Sequence, residues 1–249
     1  MKVVFAGPSL GSSIPQMKEN YPALLFRGPA ARGDILTAVQ DGASAIALID
    51  GYFGQMASVW HKEILYALSR GVIVVGGASM GALRAAECEP FGMVGIGKIY
   101  TDYAAGRLND DEAVALIHGP EELGWLPLSV TRVDYEATVR KLESMGVVSA
   151  SERERFFLTA NFMHYTERTY EAILQRCDFN DPGRSNAILQ EIKRHKVELK
   201  RDDAMAVLVW LNDIDHTHKV RRRRWTFAHT AQWNTLRDEI SSTRNSQND

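Results

Sequence analysis

The run Val72-Ile73-Val74-Val75-Gly76-Gly77-Ala78-Ser79-Met80-Gly81-Ala82-Leu83-Arg84-Ala85-Ala86-Glu87 decides the fold. Its first four residues are uncharged and β-branched, the composition of a strand covered on both faces. Gly76-Gly77 stops that strand, and Gly81 to Glu87 is a run of helix formers. Outward from this run the same alternation recurs. Upstream, Ala57 to Ser69 reads as a helix, with Trp60, Ile64, Leu65 and Leu68 on one stripe and Gly71 just past its end. Before it come a strand at Ala45–Ile49 ending in Asp50-Gly51 and a helix interior at Ile35–Val39 opened by Gly33-Asp34. A very short strand at Leu24–Phe26 and one at Val3–Ala6, stopped by Gly7-Pro8, precede these. Downstream, Ala113 to Ile117 reads as a fifth strand closed by His118-Gly119-Pro120.

Strands and helices alternating at this spacing predict an open, mostly parallel α/β sheet with flanking helices over residues 1–130. Residues 131–249 read as a mainly helical C-terminal region, packed on the sheet rather than tethered by a free linker. Helical patterns there cover Glu136–Met145, one long stretch Glu152–Arg176, then Asn186–Lys196, Asp202–Leu211 and Thr230–Ile240, with a turn at Asn180–Gly183. In such sheets ligands bind beyond the carboxyl ends of the strands. Those ends are Gly7-Pro8-Ser9, Asp50-Gly51-Tyr52, Gly77-Ala78-Ser79 and His118-Gly119-Pro120.

Composition bounds the function. The 249 residues are 45% apolar and 24% charged with a net charge of −2, which excludes disorder and a chain-wide nucleic-acid-binding charge. Cys88 and Cys177 are the only cysteines, so no disulfide framework or four-cysteine metal site exists. The short run Val3–Ala6 is no secretory signal, and no stretch is apolar enough to span a membrane. The expectation is a cytoplasmic protein with no cofactor or metal. Gly92–Gly97 lies in the wrong place for a dinucleotide loop, no P-loop sequence occurs, and His216-Thr217-His218 lacks a flanking acid or cysteine cluster. Lys219 and Arg221–Arg224 suggest a docking patch for an acidic partner surface.

Gly77-Ala78-Ser79-Met80-Gly81 fits G-x-S-x-G between a strand and a helix, the setting of a nucleophile elbow. Ser79 would attack, while the Met80 amide and the helix dipole would stabilise the charge developing on the carbonyl oxygen. The same residues also fit a plain tight βα turn or a serine helix cap. His118, expected at the end of the fifth strand on the same edge, is the first candidate base, and His61 in the first turn of its helix is the rival. Asp50 terminates a strand where a carboxylate orients another side chain or binds backbone amides. Glu63 and Glu87 sit on the crossover helices. Arg84 would pair with either or clamp an anionic group, and Ser9 would donate to an oxyanion.

Several phrases in order carry a family resemblance: Ile49-Asp50-Gly51-Tyr52-Phe53, Val59–Leu65, Ala67–Gly71, Ala78–Glu87, Pro90–Met93 and His118-Gly119-Pro120. Over roughly residues 1–130 the chain resembles TfuA-like proteins, which work beside YcaO enzymes in backbone thioamidation of ribosomally made peptides. The resemblance implies sulfur delivery: hydrolysis of the C-terminal thiocarboxylate of a ThiS-like carrier, with sulfide released close to a YcaO partner and the precursor peptide. It points to Ser79, Arg84 and Glu87, to Asp50 and Tyr52, and to His61 and Glu63 as site residues. Two other functions stay open at this point, a non-catalytic scaffold that docks the YcaO enzyme and a small-molecule serine hydrolase. A homo-oligomer is also open.

Overall fold

A computed structural model describes residues 1–54, 56–177, 179, 181–214 and 225–247. The chain runs β1 (Lys2–Phe5), α1 (Ile14–Asn20), β2 (Leu24–Arg27), α2 (Asp34–Gln40), β3 (Ala45–Leu48), α3 (His61–Ser69), β4 (Ile73–Gly76), α4 (Met80–Cys88), β5 (Val94–Gly95) and α5 (Lys98–Ala104). Six helices follow: α6 (Arg132–Ser144), α7 (Ala150–Asn161), α8 (Tyr170–Arg176), α9 (Pro182–His195), α10 (Leu199–Asp213) and α11 (Ala231–Gln247). The strands form one parallel sheet in the order β2-β1-β3-β4-β5. The order reverses between β1 and β3, so the chain leaves the sheet in opposite directions from these neighbours and opens a crevice at their carboxyl ends.

The apolar runs of the strands need cover on both faces, and two sets of helices supply it. Val3, Phe5, Ile46, Leu48 and Val74 face α2, α3 and α4 through Ile35, Ile64, Ala67 and Ala85. On the other face Val4, Ala47 and Val75 meet Met17 of α1 and Ala204, Val207, Leu208 and Leu211 of α10. A helix from the C-terminal half thus covers one face of the N-terminal sheet. Lys2 fixes its far end, donating from Nζ to the carbonyls of Leu211, Asn212 and Ile214 at 2.8–2.9 Å. A cation is favourable there because the last carbonyls of a helix lack intrahelical donors. Asp203 of α10 accepts from the amides of Lys98 and Ile99 and so starts α5. The remaining helices α6–α9 build a core of their own around Tyr135, Leu142, Phe156, Ile173 and Ile188.

Three expectations are corrected. Ala113–Ile117 is not a strand: a 3-10 turn covers Asp111–Ala113, and the apolar side chains pack against Ile99, Tyr103 and Val133 instead. An apolar run this short carries no period that separates a strand from buried irregular chain. The sheet's last strand is Val94–Gly95, two residues long, where Gly95 leaves room for the Tyr100 ring. The long pattern Glu152–Arg176 breaks into α7 and α8, because Thr169 caps α8 by accepting from the Ala172 amide at 3.0 Å. Of the Asn180–Gly183 turn, Asp181 caps α9 by accepting from the Gly183 amide at 2.8 Å and Pro182 and Gly183 already belong to that helix, while Asn180, His216, His218 and the basic run lie outside the described residues.

Glu63 is buried and links two helix starts. Its carboxylate accepts from the amides of Gly33 and Leu36 at α2 and from Trp60 ahead of α3. Burial raises its pKa to about 7, against the pull of those amides. An acid whose folded pKa exceeds its ordinary 4.5 binds its proton more tightly when folded. Its contribution to stability is therefore full below about 4.5 and fades as pH rises to about 7. Comparing urea midpoints of wild type and Glu63→Gln from pH 4.5 to 8 should show the wild-type advantage shrinking through this window and flat above it. Gly81 offers a second check: a Cβ there would collide with the Leu48 carbonyl, so Gly81→Ala should lower unfolding free energy by about 3 kcal/mol or more.

Candidate functional site

The elbow is built from glycines that let backbones touch. A Cβ on Gly76 would strike the Gly81 carbonyl, and one on Gly77 would lie 2.6 Å from the Ile96 carbonyl and from Val207 of α10. Gly77 and Gly81 donate their amides to the carbonyls of Leu48 and Ile49. The chain then turns over three residues: the Ser79 amide donates to the Gly77 carbonyl at 2.8 Å, with Ala78 between them at φ 65°. A non-glycine residue held there stores strain of order 1–3 kcal/mol, kept in place by the surrounding contacts. Ser79 itself, at the N-cap of α4, has φ −119° and ψ −126°, and its side chain does not cap the helix. The Met80 amide opens α4, where no intrahelical acceptor exists.

Ser79 is only 3% exposed. Among the described residues no hydrogen bond joins its hydroxyl to an imidazole. His118 does not end a strand. It makes an isolated bridge with Pro127, its Nδ1 lies 2.8 Å from the Gly119 carbonyl oxygen, and its ring meets the edge of Trp125. Trp125 in turn lies against Gly7 and Gly28, after β1 and β2. His118 therefore stands on the β2–β1 side of the rim, whereas Ser79 follows β4, about 10 Å from β1 across the sheet.

His61, Arg84 and Glu87 are brought together. His61 Nε2 lies 2.6 Å from Glu87 Oε2, and Arg84 donates to the same oxygen at 2.7 Å. Arg84 Nε also donates to the Val59 carbonyl. Burial raises the Glu87 pKa, but the hydrogen bonds and charges of His61 and Arg84 outweigh it and leave the group below its ordinary value. The cluster joins α3 to α4. Glu87 lies eight residues after Ser79, about 12 Å of helix rise. Glu63 is absorbed in capping and faces no crevice. Tyr52 donates its amide to the Ala30 carbonyl, and burial raises its phenol pKa.

Asp50 gathers the other half of the rim. It is 1% exposed. Oδ2 accepts from the amides of Gly7 and Ser9 at 2.8 and 3.0 Å, and Oδ1 accepts from the Ser9 hydroxyl at 2.7 Å. Lys200 of α10, 4% exposed, brings its Nζ to 3.9 Å from Oδ1. It donates to the Val114 carbonyl at 3.1 Å. The Lys200 amide donates to Asp134 Oδ1, whose Oδ2 accepts from Thr131. Burial lowers the Lys200 pKa while Asp50 and Asp134 oppose the shift, and burial raises that of Asp134. Neither Lys200 nor Asp134 stood out in the sequence. The available signal is that Lys200 occupies the apolar stripe of α10 with Ala204, Val207, Leu208 and Leu211. A cavity of about 360 Å³ opens beside Ser9, Asp134 and Lys200. Among the described residues no group of three or more His, Cys, Asp or Glu side chains could hold a metal, and no helix is long and apolar enough to cross a membrane.

A comparison with curated proteins finds no match. The model of the family described as TfuA-like protein matches residues 50–169. That span runs from the residue that anchors the rim, through the elbow and the His61–Glu87 pair, past His118 to the cap of α8, and leaves out Ser9 and Lys200. Over residues 50–169 the chain is therefore similar to TfuA-like proteins.

Proposed function

We propose that this protein hydrolyses the C-terminal thiocarboxylate of a ThiS-like carrier and releases sulfide for backbone thioamidation by a YcaO-type enzyme. One observation carries the reading: Ser79 lies at the start of α4, on a strained strand–turn–helix elbow at the carboxyl end of a parallel sheet. The TfuA-like family match supports the same role.

The chemistry balances on an elbow serine. Ser79 Oγ bonds to the thiocarboxylate carbon, and the charge that gathers on its oxygen is met by the Met80 amide and the positive end of α4. The C–S bond then breaks. Sulfur needs a proton to leave as hydrosulfide, and the serine hydroxyl gives up one, so the first step needs no net base. Water opens the resulting ester, restores the hydroxyl, and yields the carrier carboxylate and one proton. Neither His61, bonded to Glu87 about 12 Å of helix rise from Ser79, nor His118 on the β2–β1 side stands at the elbow, so water carries this proton away.

Mass spectrometry of thiocarboxylated carrier, incubated with this protein alone, should show sulfur replaced by oxygen. Ser79→Ala should lower sulfide release by at least about 100-fold with the fold intact. His61→Asn and His118→Asn should each slow it far less than Ser79→Ala does. The burial of Ser79 favours a second reading, a non-catalytic scaffold that docks the YcaO enzyme. Unchanged carrier after incubation with this protein, but faster thioamidation when it joins the YcaO enzyme, would establish the scaffold and remove the hydrolase.

A further inference from the structure

The buried charges beside the 360 Å³ cavity do not balance their hydrogen bonds. The Asp50 carboxylate takes three donors, from Gly7, Ser9 and the Ser9 hydroxyl, and the Asp134 carboxylate takes two, from Thr131 and the Lys200 amide. The Lys200 ammonium has three protons to donate. Among the described residues it spends one, on Val114, and the nearest carboxylate oxygen is 3.9 Å away. What this pocket lacks is an acceptor. A buried ammonium short of acceptors is costly, so a ligand that supplies one gains what the protein leaves unmade.

Charge limits the kind of acceptor. Two acids, Asp50 and Asp134, already stand around the one amine of Lys200, so an added carboxylate or phosphate would bring a third acidic group into the same buried region. A neutral carbonyl meets the need without that cost. Leu10, Leu116, Leu128 and Val130 supply the apolar wall; the exposed Lys196 and Arg201 also line the cavity, both paired with Glu198, and Glu171 stands exposed there too, able to accept N–H groups. Its size falls within the usual range of small-ligand sites.

We propose that this cavity binds a neutral, amide-bearing chain, a short run of extended peptide, with one carbonyl accepting from Lys200 Nζ. The site lies beside the β1 loop and not at the elbow, and it is independent of the hydrolytic reading.

Titrating the full-length, isotope-labelled protein with N-acetyl triglycine amide and with the corresponding free acid tests this by NMR. The neutral peptide should saturate and shift the amides of Ser9 and Ser129, and it should bind at least five-fold tighter than the acid. Lys200→Met should weaken it ten-fold or more. Leu128→Trp, a change at an exposed residue of the cavity wall, should do the same by filling the space and keeps the test usable if Lys200→Met fails to fold. Ser79→Ala should bind as wild type does, so loss of hydrolysis and loss of binding are separately readable. Equal or tighter binding of the acid would overturn the proposal, as would unchanged binding in either cavity variant.

Discussion

A carboxylate one residue beyond a strand end organises this molecule's rim. Asp50 leaves β3 buried, takes two amides and a hydroxyl from the loop after β1, and faces the ammonium of Lys200 across 3.9 Å. β1 and β3 are the neighbours between which the strand order reverses, so their loops would otherwise diverge with unpaired amides. Asp50 satisfies those amides, and Lys200 compensates its charge. Lys200 belongs to the helix that covers the second face of the sheet, so the same ion pair ties the C-terminal half to the strand ends. Removing one partner of a buried pair leaves an uncompensated charge, typically worth 3–5 kcal/mol. The position therefore carries fold and site together.

Two chemically different places result along one edge. Over β4 the backbone is pressed so close that only glycine fits at Gly76, Gly77 and Gly81, and that closeness holds Ala78 at positive φ and sets Ser79 at a helix start. Over β1 the backbone opens, and a cavity forms between the loop, α6, α8 and α10. The first place concentrates strain and helix polarity; the second concentrates buried charge with spare donors. The His61–Arg84–Glu87 cluster stands apart from both, joining α3 to α4 on a partly exposed surface.

Much of this was legible in the residues. Short uncharged runs gave β1 to β4, the Gly33-Asp34 start gave α2, an apolar stripe gave α3, a run of helix formers gave α4, and helical spacing gave most of the C-terminal helices, because burial and local propensity leave those marks in sequence. The elbow was legible because glycine spacing reflects a local steric demand. β5 was not, since two residues carry no period. Ala113–Val114 misled because burial against α5 and α6 looks the same in sequence as burial in a sheet. That error carried His118 to the wrong part of the rim. Lys200 was hidden for the opposite reason: a lysine beginning an amphipathic helix usually reaches solvent.

By itself the sequence determined the alternation of strands and helices, the parallel sheet, the turn that presents Ser79 and the family phrases from Asp50 onward. These follow from contacts within a few residues, where sterics and periodicity act directly. Which groups meet across long separations was decided only by the tertiary structure: Asp50 with Ser9 and Lys200, His61 with Glu87, His118 with Trp125 rather than with the elbow. Such pairings depend on which helix covers which face and on the order of strands in space. The energy that fixes both comes from apolar packing across the whole sheet rather than from any short stretch of chain.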